Sequence, residues 1–278
     1  MAADTPQPPE AGSLTDEAFW DEYWRDLRLP REIKKGTSLY IDAITDVFDR
    51  WLPVGEGRTA LEVGGAPGQY GAYVHRRFDY ELHILDSSPI GCAAARKNLE
   101  LLGISAHVTE GDMFDPTLDV PACDVVYSLG LIEHFGDLDG AVAAHARFAK
   151  PGGLVVLGCP NFLGVNGWLL RRLAPAVVAT TNTENMDVRT WDRFERSLLL
   201  EPLFKGYVGG FEPAVAARTE TNRAVDRAIV RSLYELRRVL GHRALRSLRR
   251  LNSRAWSGYV MGVYRVQQAA PRVDPDPA

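Results

Sequence analysis

The stretch Ala60-Leu61-Glu62-Val63-Gly64-Gly65-Ala66-Pro67-Gly68-Gln69-Tyr70 decides how this chain is read. An apolar run with an acidic residue near its end passes into a glycine turn, and the turn opens what reads as a helix. Asp86 closes a second apolar run, Leu82-His83-Ile84-Leu85, 22 positions after Gly64. Glycine lets a backbone turn sharply and approach a ligand closely, and a carboxylate at the tip of the next strand can accept both hydroxyls of a ribose. The pair points to a ligand that contains a nucleoside. A dinucleotide fingerprint counted from Gly64 requires glycine at 66 and 69, where the chain has Ala66 and Gln69. The template acidic-x-G-x-G-x-G meets Glu62, Gly64 and Gly68 and misses only at Ala66. Glu62 would repel a pyrophosphate and attract an ammonium, so it argues for a ligand with a methionine-like end.

Further along, Gly111-Asp112-Met113 follows the alternating Ile104–Glu110 segment. Cys123–Leu129 reads as a fourth strand followed by Gly130-Leu131-Ile132-Glu133-His134-Phe135, and Lys150-Pro151-Gly152-Gly153 leads into the apolar run Leu154–Gly158. In this order, over residues 55–160, the chain resembles the class I methyltransferases that use S-adenosylmethionine (SAM), of the small-molecule type. The resemblance implies an α/β fold: a doubly wound, seven-stranded, mostly parallel sheet with its last strand antiparallel, helices on both faces, an N-terminal helical cover and a helical lid insertion. It implies SAM as cofactor and S-adenosylhomocysteine as product. Glu62 and Gly64 would hold the methionine end, with Gly65, Ala66 and Gly68 completing the cofactor-binding turn. Asp86, followed by Ser87, would take the ribose, and Asp112 with Met113 the adenine. Leu129, Gly130 and Leu131 would run beneath the sulfonium. Tyr23 is a cofactor-binding candidate, because a phenol can contact the methionine end while its ring stays buried; core packing is the alternative for it, as for Trp20 and Tyr40.

The pattern predicts strands over 58–63, 81–86, 104–110, 122–128 and 153–159, and helices over 68–78, 88–102 and 137–149. Right-handed crossovers would then bring Glu62, Asp86, Asp112 and residues 128–131 to one crevice. Ahead of this core, one helix is expected to begin at Ser13 or Thr15 and end at Pro30, and another to run from about Glu32 to Trp51. Behind it, an amphipathic piece covers 165–174, a helix-like piece 188–200, a sixth strand begins near Leu203 and a last strand spans 256–266. The organisation is a single domain over 13–266, with N-terminal helices (13–54), cofactor-binding core (55–160), substrate lid (161–202) and C-terminal strands with Arg-rich helices (203–266). Residues 1–12 and 267–278, rich in Pro and Asp, are expected to be disordered.

Composition narrows the function. In 278 residues, 46% hydrophobic and 24% charged content with a net charge of −4 describe an ordinary globular protein. No apolar run is long enough to span a bilayer and no signal-peptide pattern opens the chain, which together predict a cytoplasmic protein, monomeric or homodimeric. Cys92, Cys123 and Cys159 have unrelated spacings and read as buried thiols, and no metal site is expected. His134 is the candidate catalytic base, because it follows the fourth strand at the crevice mouth and imidazole titrates near neutrality. The expected reaction is methyl transfer by SN2 displacement to O, N or C of a small organic metabolite, of the kind natural-product pathways modify. No Asn/Asp-Pro-Pro-aromatic motif follows the fourth strand, which argues against amino-directed methylation of adenine or glutamine.

A second reading starts from Arg218–Arg254, where eleven arginines face three acids. Such a segment could bring RNA or a phosphorylated substrate to the same cofactor. The plainer account is a solvated face paired with the acidic N-terminal helices (Asp16, Glu17, Asp21, Glu22, Asp26), and nucleic acid is not the expected partner. A third reading, a SAM-binding protein without catalysis, rests on the imperfect glycine motif at Ala66.

Overall fold

The computed structural model describes residues 13–211, 220 and 223–267; the two expected terminal tails, apart from Gln267, and Arg218 lie outside them. The described residues form a seven-stranded sheet in the order β3-β2-β1-β4-β5-β7-β6. The strands are β1 (Arg58–Val63), β2 (Tyr80–Asp86), β3 (Ala106–Glu110), β4 (Cys123–Leu129), β5 (Ala149–Pro160), β6 (Leu200–Val208) and β7 (Tyr259–Val266). The first five pair in parallel, and β7 runs antiparallel to both β5 and β6. Strand order reverses between β1 and β4, the position where open α/β sheets leave a crevice beyond their strand ends.

Side chains alternate across the sheet. Leu61, Val63, Val126, Val155 and Leu157 build one core with α5 (Leu138–Ala146) and the fully buried Trp191 and Phe194. Ala60, Val125, Tyr127 and Val156 build the other with Ile44 and Phe48 of α2 (Leu39–Trp51). Both faces are covered, which is why these strands are almost continuously apolar. The crossover helices are α3 (Gln69–Phe78) and α4 (Pro89–Leu102). Ser88 caps α4 by accepting from the Gly91 amide, Pro89 fills its first turn, and Gly103 ends it at φ 69°.

Several boundaries differ from the sequence pattern for local reasons. α1 spans only Glu17–Trp24, because Asp16 is its cap while Ser13 bridges to Phe135. α2 begins at Leu39 rather than near Glu32, where Gly36 takes φ 87° and Ser38 caps. The 188–200 segment is a 3-10 turn (Val188–Thr190) and a short α8 (Asp192–Ser197); Leu199 then turns at φ 53° and β6 starts at Leu200. β7 starts at Tyr259, since Trp256 lies in a turn with its indole N–H on the Leu251 carbonyl.

The lid residues form α6 (Gly164–Leu173) and α7 (Pro175–Ala179), packed on Ile229, Val230 and Leu233 of α9 (Ala224–Leu248), which kinks at Gly241. Among the described residues, the ion pairs of the C-terminal arginines of this region go to elements other than α1. Arg249 reaches Asp46 (2.8 Å) and Arg246 approaches Asp42 (3.9 Å), both on α2, while Arg254 reaches Asp187 (3.2 Å). The α1 acids are engaged elsewhere: Asp21 accepts from the Ser88 hydroxyl (2.6 Å), tying α1 to the start of α4. No described helix is long and apolar enough to cross a membrane.

Candidate active site

A cleft of about 2080 Å³ opens at the C-terminal edge of the sheet. Its floor is made by the ends of β1, β2 and β4 and the turns that follow them. Trp20, Tyr23 and Trp24 of α1 cover one side; Asn161, Phe162 and the α6–α7 lid cover the other, with Tyr234 and Arg237 of α9. Of the residues singled out in the sequence, Glu62, Gly64, Ala66, Asp86, Ser87, Asp112, Met113, Leu129, Gly130, Leu131, Tyr23 and His134 all line this cleft. Gly65 and Gly68 lie behind it. A Cβ on Gly65 would come within 2.9 Å of Glu62 Cγ and Ile84 Cγ2, and Gly68 sets the start of α3 at φ 78°. They shape the turn from its buried side.

Glu62 is 5% exposed, on the sheet face it shares with Tyr127. Its Oε2 accepts the Tyr127 hydroxyl (3.1 Å). Burial, with a smaller contribution from the charge of Asp86, pushes its carboxyl up to about 8 despite bonds from Tyr127 and the Gly71 amide. Asp86 accepts the amides of Ala66 and Ser88, each at 3.0 Å, and burial holds its carboxyl above the usual range. The bond to Ala66 fastens the glycine turn to the tip of β2. Ala66 itself does not crowd the cleft from the middle of the turn. Its methyl packs toward α4, where a Cβ on Gly91 would lie 3.0 Å from it and 2.9 Å from Trp24 Cδ1. Gly64 adopts φ 64° and passes Leu131 so closely that a Cβ would meet its Cδ1 at 3.1 Å. Asp112 Oδ1 accepts the Phe114 amide (3.0 Å), and the Phe114 ring stands edge-on to Phe135 at 5.4 Å. Tyr23 is 63% exposed and packs its ring on Trp20 and Trp24.

His134 sits in the 3-10 turn Ile132–His134 after β4 and is 8% exposed. Its Nδ1 lies 2.7 Å from the Thr180 carbonyl, and its ring meets Trp20 at a right angle, 5.0 Å between centroids. Burial lowers its basicity, so the ring is neutral. Asn185 braces the turn by donating to the carbonyls of Ile132 and Phe135, both at 2.8 Å, and the Asn182 amide donates to that of Glu133 (2.6 Å). Sequence reasoning passed over Glu133 itself. It is 2% exposed, lines the cleft, and its Oε2 has no hydrogen-bond partner. Burial pushes its carboxyl up to about 8. The only signal for it in the sequence was its place beside His134 in a turn after a strand.

Comparison with known proteins adds to this geometry. Residues 60–153 match the family described as a methyltransferase domain. The ribosomal RNA small subunit methyltransferase C of Hahella chejuensis is 24% identical over 189 residues, covering 62% of this chain; the chain spans about half (55%) the length of that curated relative. The geranyl diphosphate C-methyltransferase of Streptomyces coelicolor, solved with Mg2+, geranyl diphosphate and S-adenosyl-L-homocysteine, superposes with a TM-score of 0.58 at 16% identity, over 94% of this chain and 100% of that one. The [4+2]-cyclase SpnF superposes with the same TM-score at 15% identity, over 94% and 98%. At these identities the superpositions establish a shared fold.

Proposed function

We propose that this chain, whose residues 60–153 match a methyltransferase domain, is a class I methyltransferase that moves a methyl group from SAM to a small organic acceptor. The observation that carries the reading is the convergence of Glu62, Gly64 and Asp86 at the switch point of the sheet, in one cleft. The residues fit SAM chemically. Glu62 is a buried acceptor with no cation beside it and suits the ammonium of the methionine end. Asp86, fixed by two backbone amides, keeps lone pairs for two ribose hydroxyls. Asp112, with Met113 and Phe114, suits the adenine. When bound, SAM supplies an electrophilic methyl carbon on a sulfonium. The chain's part is to align the acceptor, exclude water under the 161–202 segment and the N-terminal helices, and offer the lone pair of neutral His134 near the acceptor.

The charge of the site supports a small acceptor over a nucleic acid. Among the described residues, four of the segment's eleven arginines reach carboxylates of the protein: Arg238 to Glu235, Arg246 to Asp42, Arg249 to Asp46 and Arg254 to Asp187. The described lining of the cleft holds ten Asp and Glu residues against Arg31 and Arg237, which disfavours phosphates. Because the fold is also that of a cyclase, the chemistry needs a direct test. Calorimetry with S-adenosylhomocysteine and with NAD, on wild type and Asp86→Ala, provides it. The reading expects binding of the first alone, weakened at least about tenfold by the substitution. Binding of NAD alone, or no effect at Asp86, would refute it.

A further inference from the structure

Glu133 and His134 are neighbours in one turn, and both face the cleft. The bond from His134 to the Thr180 carbonyl fixes the tautomer. A carbonyl cannot donate, so Nδ1 carries the proton and Nε2 of the neutral ring presents a lone pair. That Nε2 lies 3.8 Å from Glu133 Oε1, too far for a hydrogen bond, and Glu133 Oε2 has no partner. Two acceptor atoms thus flank a gap. A nitrogen at about 2.8 Å from each would close it with ordinary geometry. A hydroxyl has one proton and can serve only one of two acceptors, whereas an amine or ammonium serves both.

We propose that the acceptor is a primary or secondary amine, held with its nitrogen between Glu133 and His134 Nε2, and that the protein is an N-methyltransferase. This rests on the methyltransferase reading above and names the acceptor class for the same site. Three further features agree. The described lining is rich in carboxylates, which draws a cationic ligand. Cys159 of β5 and Tyr259 of β7, which feel the charge of Glu133, are both neutral at pH 7, and among the described residues no lysine or arginine pairs with Glu133. Tyr40, which lines the cleft and meets the fully buried Tyr259 edge-on at 4.9 Å, adds an aromatic side chain to the same wall.

The chemistry balances. As an ammonium enters beside it, the Glu133 carboxyl, protonated in most ligand-free molecules at pH 7, gives that proton to solvent, and the resulting carboxylate then takes one proton from the ammonium. The amine nitrogen then gives its lone pair to the methyl carbon as the carbon–sulfur bond breaks, with sulfur keeping the bonding pair. One N–H of the attacking nitrogen stays on His134 Nε2, and the product leaves as the methylated ammonium. A carboxyl raised by burial is a better match to an amine than an ordinary one, which makes the first transfer feasible.

The test uses n-hexylamine, n-hexanol and hexanoate as probes, titrated by calorimetry into the S-adenosylhomocysteine complex of wild type, Glu133→Gln and Glu133→Ala. The expected result is that hexylamine binds at least about tenfold tighter than hexanol, that hexanoate does not bind, and that the amine preference falls at least about tenfold in both variants. SAM with hexylamine should yield the N-methylated amine in wild type. S-adenosylhomocysteine affinity should stay within about twofold in Glu133→Gln, which shows an intact fold. Absence of amine binding, preference for the alcohol or carboxylate, or an amine preference that survives Glu133→Gln would overturn the proposal. Failure of S-adenosylhomocysteine to bind wild type would instead sink the methyltransferase reading.

Discussion

If Glu62 holds the ammonium of the proposed cofactor, its buried carboxyl should release a proton on binding, and the amount can be worked out. With its carboxyl at about 8, it is protonated in about nine molecules of ten at pH 7 when no ligand is present. The Tyr127 hydroxyl is a bond that burial outweighs. An ammonium within about 4 Å would favour the ionised form strongly enough to bring the group below neutrality. Binding of S-adenosylhomocysteine at pH 7 should therefore release about 0.9 proton from this site, and apparent affinity should rise about 50-fold from pH 6 to pH 8. Calorimetry in two buffers of different ionisation enthalpy counts the protons. Glu62→Gln should abolish the release and flatten the pH dependence, and should also weaken binding by about 1.5–3 kcal/mol through loss of a charge-assisted bond. Glu133→Gln, measured beside it, separates the contribution of the second raised carboxyl. Zero release in wild type, or equal release in wild type and Glu62→Gln, would refute the assignment of Glu62 to the methionine end.

Three other outcomes follow from the same geometry. Gly64→Ala places a side chain at φ 64° and 3.1 Å from Leu131, so it should cost about 1–2 kcal/mol in thermal unfolding and weaken S-adenosylhomocysteine binding; an unchanged melting temperature would contradict the turn geometry. Trp191→Ala empties a fully buried site and removes the indole bond to the Asn185 carbonyl (2.9 Å), so urea unfolding should show a loss of about 3–5 kcal/mol. For pH, Glu62 and Glu133 both have folded-state values raised from 4.5 to about 8. A raised group contributes its full stability below the unfolded value and loses it as pH climbs through the folded one, so the ligand-free protein should lose stability between about pH 4.5 and 8, by up to about 1.4 kcal/mol per pH unit for each group. Flat stability over that range would show that the two carboxyls are better solvated than their burial implies.

The central sheet was legible because burial on both faces leaves little freedom in composition. β1, β2, β4 and β5 read as apolar runs, and Ser88-Pro89 and Gly103 mark the ends of α4 in plain residue chemistry. The gathering of Glu62, Asp86, Asp112 and residues 129–131 at one cleft was legible for a related reason: in a parallel sheet, sequence position at a strand end fixes spatial position. Where side chains from distant elements decide the outcome, the pattern misled. The apolar spacing of 188–200 suits a helix, yet Trp191, Phe194 and Tyr264 pack together and Leu199 turns the chain into β6. The arginines were expected to meet α1, but α1 is drawn to α4 by Asp21, which leaves Asp42 and Asp46 of α2 as partners. Glu133 was invisible because nothing local distinguishes a solvated turn carboxylate from one enclosed by β5, β7 and a braced loop.

That enclosure ties stability to binding. Two carboxyls, Glu62 near the end of β1 and Glu133 in the turn after β4, have at most one side-chain donor between them, and among the described residues neither has a lysine or arginine within ion-pair reach. Such groups cost the fold stability whenever they ionise, and hydrophobic replacements would remove that cost. Their retention makes physical sense only if a positive charge arrives from outside. A sulfonium cofactor with an ammonium, and then an amine acceptor, would supply one for each carboxyl. Each ligand should therefore raise the melting temperature by itself, and the departure of their joint effect from the sum reports the coupling between the two sites. Thermal shifts with S-adenosylhomocysteine, hexylamine and both would measure that coupling directly.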